Sequence, residues 1–416
     1  MPKKKKIKKV KPQKELFTPL ANIKVIGVGG GGGNAVARMS RNFMRGVQFL
    51  AINTDHQDLD HCDVRHKIYI GKNLTRGLGT GMNPDLGRQA AEENRAEIAE
   101  ALKGADIVFI TAGFGGGTGT GVSPIVAEAA KQSGALTLAF VTKPFAFEGL
   151  QRQRIAEEGL MKLRDKVDAL VVVPNDRIFT IISKETPILK AFEAIDDVLR
   201  SALEGIVELI VTPGIINVDF ADVRAIIQDA GSAIVGIGLA SGQDRAVTAV
   251  NQALNSPLLE VSPEGARGAL LGISGGRDLK MTEINEAAKI VAQTIDPGAK
   301  IIFGAYYDKH LKPKEIKITL IATGFGSSGS APLFGSGYLS EARNFLGSAK
   351  SPFPAEELKA KERDRQKPPF ADAENKTHTL PMPELDTNGK DKMKPGGKKN
   401  DSDVWDIPTF LRRKKR

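Results

Sequence analysis

The stretch ADIVFITAGFGGGTGTGVSPIVAEAAKQSG, Ala105 to Gly134, decides the fold. Ile107, Val108, Phe109 and Ile110 form an apolar run too short for a helix and rich in β-formers, which reads as a buried parallel strand. Glycines follow. Five of the seven residues from Gly115 to Gly121 are glycine and the other two are threonine, so this loop tolerates positive φ and admits another molecule close to its backbone. A helix is predicted over Val122 to Lys131, with Val122, Ile125, Val126 and Ala129 at helical spacing and Gly134 where a C-terminal cap belongs. Amide N–H groups at a helix N-terminus, preceded by glycines and hydroxyls, make a phosphate site. A flexible surface loop is the bland alternative, and such loops rarely lie between a buried strand and an amphipathic helix.

Towards the N-terminus, Ile23 to Val28 is a second buried strand running straight into Gly29 to Gly33, Asn34 and a helix over Ala35 to Ser40. Gly27-x-Gly29-x-x-Gly32 satisfies the dinucleotide fingerprint, and the next strand, Val47 to Ile52, ends at Asp55, about where a ribose-binding acid would lie. An NAD-dependent oxidoreductase is therefore a rival reading, although five consecutive glycines exceed what that turn requires. No Walker A lysine follows either glycine loop, which argues against a P-loop NTPase. A third loop, Gly77-Leu78-Gly79-Thr80-Gly81-Met82-Asn83-Pro84, precedes a helix expected from Asp85 to about Leu102, with Asn83 as N-cap and Pro84 at the first helical position. A single ligand with several phosphates would use all three loops.

Towards the C-terminus, strands over Leu136–Val141 and Ala169–Val173 alternate with helices near Gln151–Lys166 and Ile188–Ile210, as in a parallel sheet covered on both faces. The last helix carries Phe192, Ile195, Leu199, Leu203, Ile206 and Ile210 on one stripe, so it reads as a buried spine between two domains, ended by Pro213 and Gly214. An acidic loop, Asn217-Val218-Asp219-Phe220-Ala221-Asp222, then opens a helix whose Val223, Ile226 and Ile227 face inward. Acids in a first turn are common as dipole partners, each worth about 0.3–1 kcal/mol, which is the structural alternative to a catalytic role. Residues 232–325 read as a second α/β layer. Within it Lys314–Thr323 alternates, with Ile316, Ile318 and Leu320 on a buried face and Lys317 and Thr319 on a face expected to be solvated. Helices near Asp244–Leu254 and Thr282–Ile295 are expected to cover the buried side.

A chain of 416 residues with 41% hydrophobic content has room for two domains plus tails. No apolar run reaches the roughly 18 residues of a membrane span, and no h-region follows the first charges, so a cytoplasmic protein is expected. Cys62 is the single cysteine, which excludes an internal disulfide and a cysteine metal cluster. The net charge of +10 belongs to the ends. Removing residues 1–14, with eight lysines and no acid, leaves +2, and removing residues 405–416, with five basic residues and one acid, leaves −2. The body is nearly neutral, so basicity points to partners of the tails, anionic membrane or nucleic acid, and not to a basic binding face. From Ser327 to Val404 the composition turns to Pro, Lys, Glu, Gly and Ser, a linker with a mean reach of about 50 Å. Beyond it Trp405 to Leu411 restores apolar residues before Arg412 to Arg416, the pattern of a docking peptide.

The runs Gly27 to Asn34 and Gly115 to Gly121 resemble the two glycine signatures of the tubulin/FtsZ family. Asn53-Thr54-Asp55, Pro174-Asn175-Asp176-Arg177, Asn217 to Asp222 and Asp406 to Arg412 resemble further motifs of its bacterial division branch, in the same order. The resemblance covers about residues 20–325 and the last dozen. It implies a GTPase that polymerises head to tail into a cytokinetic ring at midcell. The implied fold class is α/β: a parallel-sheet, Rossmann-like GTPase domain joined by a long central helix to a smaller α/β domain, with disordered basic tails. The implied segments are a basic extension 1–19, a GTP-binding domain 20–187, a connecting helix 188–212, a second domain 213–326, a linker 327–404 and a docking peptide 405–416.

Carried over by motif, Gly30, Gly31, Gly32, Gly33 and Asn34, Gly79, Thr80 and Gly81, and Gly115, Gly116, Gly117, Thr118 and Gly119 would hold the phosphates of GTP or GDP. Glu148 and Arg152 would contact the ribose and phosphate side, and Asn175, Phe192 and Asp196 would read guanine. Phe192 and Asp196 lie four apart on one helix face, so a ring stacks while a carboxylate accepts guanine's N1–H and N2–H. No side-chain metal site is implied, and Mg²⁺ would come with the phosphates. Asn217, Asp219 and Asp222 would enter the neighbouring subunit's site and act on the attacking water. Asp406, Ile407, Pro408, Phe410, Leu411 and Arg412 would dock on membrane-tethering proteins such as FtsA, ZipA or SepF. A filament scaffold without hydrolysis differs only in whether the acids work. Thr80 and Met82 depart from the small residues usual in the family's third loop.

Overall fold

The computed structural model describes residues 21–325 apart from 42, 44, 45, 184, 257–260 and 310. The expected lysine extension, the linker and the docking peptide lie outside the described residues. In chain order the elements are β1 (Ile23–Val28), α1 (Gly29–Arg41), β2 (Val47–Asn53), α2 (His56–His61), β3 (His66–Tyr69), α3 (Lys72–Thr75), α4 (Pro84–Glu93) and α5 (Arg95–Leu102). There follow β4 (Ile107–Gly113), α6 (Thr118–Gln132), β5 (Leu136–Lys143), α7 (Leu150–Arg164), β6 (Ala169–Pro174), α8 (Ile188–Val211) and α9 (Phe220–Ile227). The last group is β7 (Gly231–Ser241), α10 (Arg245–Leu254), β8 (Gly268–Gly275), α11 (Met281–Thr294), β9 (Lys300–Tyr307) and β10 (Glu315–Thr323). Among the described residues no helix is long and apolar enough to cross a membrane.

The strands form one sheet in the order β3-β2-β1-β4-β5-β6-β7-β10-β8-β9. From β3 to β6 every pairing is parallel, with Ile23 level with Val47 on one side and with Ile107 on the other. This is the doubly wound order, in which the chain reverses direction across the sheet between β1 and β4, and a ligand crevice opens beyond the carboxyl ends of those two strands. Both glycine runs begin there. Side chains alternate between two cores: Ile107 and Phe109 join Ile23, Val25 and the α8 stripe, while Val108 and Ile110 join Ile26, Val28 and the helices α4 to α7. Each fully buried Ile, Leu or Phe contributes about 1.5–3 kcal/mol, so a strand covered on both sides reads as an unbroken apolar run.

β6 and β7 pair over only two residues, Ala169 with Gly231 and Leu170 with Ser232. Beyond that joint β10 pairs antiparallel with both β7 and β8, and β9 runs parallel to β8. The sheet face bearing Ile316, Ile318 and Leu320 is covered by α10 and α11, as the alternation predicts. The opposite face is not solvated. Thr319 is buried, Lys317 pairs with Glu208 of α8, and a methyl added to Gly205 of α8 would lie 2.5 Å from Thr319 Cγ2. The spine helix covers that face with Gly205 at the point of contact, and a polar alternation in sequence does not tell water from a helix carrying its own acid.

Three helix boundaries also differ from expectation. The segment Asp85–Leu102 is two helices broken at Asn94, whose side-chain oxygen accepts from Gly71 N at 2.9 Å. Helices α1 and α6 begin at Gly29 and Thr118, several residues before the predicted starts at Ala35 and Val122. Glycine is a poor helix former, so propensity assigns these residues to loops. Close approach overrides it: a Cβ on Gly32 would sit 2.3 Å from Thr111 O, and one on Gly119 would sit 2.3 Å from Gly113 O.

Candidate functional site

The first turns of α1 and α6 follow the neighbouring strands β1 and β4, and residues of both line one cleft. The cleft has a volume of about 1000 Å³ including its open mouth. Gly30, Gly31, Gly116, Gly117, Thr118 and Gly119 line one end of it, together with Thr80 from the loop before α4. Two helix N-termini and their unpaired N–H groups give this end a positive potential without a lysine. Gly32 and Gly33 are buried beneath the cleft wall, and Asn34 faces a small adjoining cavity beside Asp58 and Cys62. Gly79, Gly81 and Gly115 do not line the cleft; Gly81 is exposed, and Gly115 is buried with its N–H donating to Thr120 Oγ1 at 3.1 Å.

The loop Gly77–Met82 holds its shape with positive φ at Gly77, Gly79, Gly81 and Met82. Asn83 caps α4, accepting from Asp85 N and Leu86 N. Thr80 is 7% exposed, and its Oγ1 lies 3.2 Å from Thr118 Oγ1. Thr118 Oγ1 is also 2.7 Å from Thr54 Oγ1. The residue type that looks anomalous in this loop thus belongs to a chain of three hydroxyls tying the strand β2 end, the third loop and α6 together. Thr54 falls in the Asn53-Thr54-Asp55 motif but is not among the expected site residues.

At the middle of the cleft Glu148 and Arg152 form an ion pair at 2.9 Å. Glu148 also accepts from Phe145 N at 2.9 Å, which fixes the short turn Ala146–Glu148. At the far end α8 presents Phe192 and, one turn on, Asp196, opposite Asn175. Phe192 is 42% exposed and meets Phe145 edge-on at 5.8 Å between ring centroids. Asp196 is salt-bridged to Arg38 of α1 and its side chain is only 17% exposed. Burial pushes its carboxyl up to about 6, against the opposing pull of Arg38. Arg38 is a second residue that sequence reasoning missed, since a lone arginine on a helix carries no signal until the strand order brings α1 against α8. Thr111 and Thr142, at the carboxyl ends of β4 and β5, also line the cleft.

Two polar atoms of the lining, Asn175 Oδ1 and Thr111 Oγ1, are buried without a protein partner. Unpartnered polar atoms in a wall are costly unless a ligand satisfies them. The site therefore fits a polar ligand with an anionic end at the glycines, a planar ring at Phe192 and donor groups at Asp196. A dinucleotide reading fails on geometry. Asp55, its expected ribose acid, caps α2 by accepting from Gln57 N and Asp58 N.

The acidic loop is elsewhere. Phe192 and Asp196 lie in the first half of the 24-residue α8, and the loop follows its end, about 23–29 Å further along the axis at 1.5 Å per residue. Backbone bonds from Ile215 N and Ile216 N to Ala305 O, and from Ala305 N to Ile216 O, hang the loop on the edge of β9. Asn217 Oδ1 accepts from Gly214 N at 2.6 Å, and Asp219 stands at the N-cap of α9 without a side-chain cap bond. None of Asn217, Asp219 or Asp222 lines the cleft.

Comparison with known proteins bears on both ends of α8. Residues 22–183 match the model of the tubulin/FtsZ family GTPase domain, and residues 231–326 match that of the FtsZ family C-terminal domain. A solved FtsZ dimer from M. jannaschii is 47% identical, with 74% of this chain and 89% of that chain covered and a TM-score of 0.70. The chain belongs to the tubulin/FtsZ family. A mutant of the M. jannaschii FtsZ carrying one tryptophan-to-tyrosine change aligns similarly, at 47% identity over 73% of this chain and 91% of that one, with a TM-score of 0.69. CetZ1 from Haloferax volcanii, GDP-bound, shares the fold at 20% identity, 75% and 96% coverage and a TM-score of 0.64. In FtsZ terms, the glycine-lined part of the cleft falls within the matched GTPase domain, and α8, which brings Phe192 and Asp196 to the cleft, falls with the acidic loop between the two matched regions. GTP binding and a place in cell division come with that membership.

Proposed function

We propose that this chain hydrolyses GTP only when it is assembled head to tail, each cleft being completed by the acidic loop of the next subunit. The observation that carries this is a separation: among the described residues the cleft is lined by glycines of two helix N-termini and its acids, Glu148 and Asp196, are each paired with an arginine, while Asp219 and Asp222 stand beyond the far end of α8. A solved relative described as an FtsZ dimer supports self-association.

In this reading the amides of Gly30, Gly31 and Gly116 to Gly119 bind the phosphates, Glu148 and Arg152 flank the ribose, and Asn175, Phe192 and Asp196 take guanine. Asp219 and Asp222 of the adjoining subunit polarise a water in line with the terminal phosphate. Asn217 shapes the loop through its bond to Gly214 and orients that water with its free amide. Phosphoryl transfer needs little covalent help, so positioning plus stabilisation of charge by the helix N-termini supplies the catalysis. Among the described residues no group of three or more His, Cys, Asp or Glu is placed to hold a metal. Mg²⁺ would then be held mainly by the nucleotide, adding charge neutralisation on the phosphates.

A contact of this kind is heterologous and does not close, so it propagates as a filament. The filament would build the cytokinetic ring at the division site, tethered through Asp406, Ile407, Pro408, Phe410, Leu411 and Arg412 to adaptor proteins of the FtsA, ZipA or SepF kind, with the basic tails adding contact to anionic membrane. The segments 20–187, 188–212 and 213–326 serve as nucleotide domain, connecting helix and activating domain. The test is turnover against protein concentration, read alongside light scattering. A specific activity that rises from near zero as polymer appears supports the reading, and one independent of concentration and of polymer rejects it.

A further inference from the structure

Helix α1 reaches both ends of the cleft. Its first turn supplies Gly30 and Gly31, and seven residues beyond Gly31, about 10 Å along the axis, Arg38 is salt-bridged to Asp196 of α8. Asp196 has few means of remaining charged. Burial raises its pKa, and Asp197 and Glu193 on its own helix push the same way. Glu193 is itself paired with Lys190, and Asn175, facing the cleft from the turn Asn175–Thr180, is neutral. Arg38 is the one cation acting on Asp196 among the described residues.

Resting on the reading that Asp196 recognises the base, we propose that Arg38 is a positioning residue for base selection, holding the Asp196 carboxylate as an oriented anion whose second oxygen stays open to the cleft. An ionised carboxylate is acceptor only, which suits two adjacent N–H donors, as on guanine. Protonated, the same group offers one acceptor and one donor, which suits a base with a carbonyl where guanine has its amino group, as on xanthine. Arg38 therefore sets which purine the cleft prefers, and it does so without touching the phosphates.

The experiment measures dissociation constants of GTP and of xanthosine triphosphate for the full chain from pH 5.5 to 8.5 at fixed ionic strength. It compares the unaltered protein with Arg38→Met, Arg38→Lys and Asp196→Asn. Arg38→Met keeps the reach of the side chain and removes its charge. With its midpoint raised by one pKa unit from about 6, it is expected to weaken GTP binding about eightfold at pH 5.5 and about twofold at pH 7, and to recover at high pH. Its binding midpoint moves up from that of the unaltered protein, and its preference shifts towards the xanthine nucleotide. Arg38→Lys restores the midpoint, which a purely structural role for the guanidinium would not allow. A loss of GTP affinity equal at every pH, or no loss, overturns the proposal. Asp196→Asn separates the two layers. If it abolishes the preference for GTP over the xanthine nucleotide while Arg38→Met binds as the unaltered protein does, the proposal alone falls; if it leaves that preference intact, the base reading falls and the proposal with it.

Discussion

Lys317 Nζ lies 2.7 Å from Glu208 Oε2, joining the first third of β10 to the last third of the spine helix α8. The bond sits beside the buried Thr319 and the tight contact at Gly205, so it closes the inner face of the second sheet region against the helix. Asp308 is a more distant partner of the same ammonium at 3.7 Å. Glu208→Ala should cost about 1–3 kcal/mol, the range for losing a hydrogen bond to a partly buried charged group. The check is a denaturant midpoint that falls with an unchanged slope, since the fold stays cooperative while its stability drops. Nucleotide affinity should hold, because Glu208 does not line the cleft.

That face shows where sequence stops short. The period of β10 was legible because Ile316, Ile318 and Leu320 alternate with polar residues. What covers Lys317 and Thr319 was not legible, since it depends on an acid 109 residues away on another element. The cleft divides in the same way. The glycine runs announced phosphates through their composition, and the motif resemblance named Glu148, Arg152, Asn175, Phe192 and Asp196, which the fold brings to one cleft. Arg38 carries no local mark, and the motif that contains Thr54 does not say what its hydroxyl meets. They matter because β1 lies between β2 and β4, a strand order that sets the end of β2 beside α6 and α1 beside α8.

The hydroxyl chain gives a second prediction. Thr54→Val preserves shape and removes the partner of Thr118 Oγ1, leaving only Thr80 at 3.2 Å. Net loss of one hydrogen bond costs about 1 kcal/mol. Thermal unfolding should register that loss, and GTP affinity should fall by a few fold because Thr118 begins α6. A full-affinity variant would mean that Thr54 serves stability alone.

Asp196 yields a prediction about pH. Its carboxyl, ordinarily near 3.8, is raised to about 6 by burial, with Arg38 opposing. A raised acid binds more protons folded than unfolded, so its contribution to stability is fully present below about 3.8 and is lost as pH rises through about 6. Asp196→Asn does not titrate. Relative to the unaltered protein its stability should therefore improve by up to about 3 kcal/mol between pH 4 and pH 7, the energy equivalent of that shift. Unfolding free energies measured without nucleotide at the two pH values check this, and a difference that does not change with pH rejects it. Such a variant would be steadier and worse at binding GTP, as expected where a functional acid is held in a desolvated place.

The last prediction concerns hydrolysis across the interface. Asp222→Ala should bind GTP normally and turn it over poorly, since it removes a group remote from its own cleft. Its complement must be a variant that folds, cannot bind nucleotide and keeps the acidic loop. Gly119 is a poor choice, because any Cβ there meets Gly113 O at 2.3 Å and strains the strand end itself. Gly116 is a better one. A Cβ added there meets no protein atom within 4 Å, and the residue lines the cleft, so a larger side chain has room to grow into ligand space. Each variant alone should show little turnover. Mixed in equal amounts, they form junctions in which the GTP of the first lies under the acids of the second, and one junction order in four has every required group. Activity should therefore return to roughly a quarter of the unaltered level if both enter filaments at random, a factor of four that corresponds to about 0.8 kcal/mol in rate and lies well within measurement. Co-sedimentation shows whether both variants enter one polymer. If they do and no activity returns, Asp219 and Asp222 act within their own subunit or not at all, and the interface mechanism is wrong.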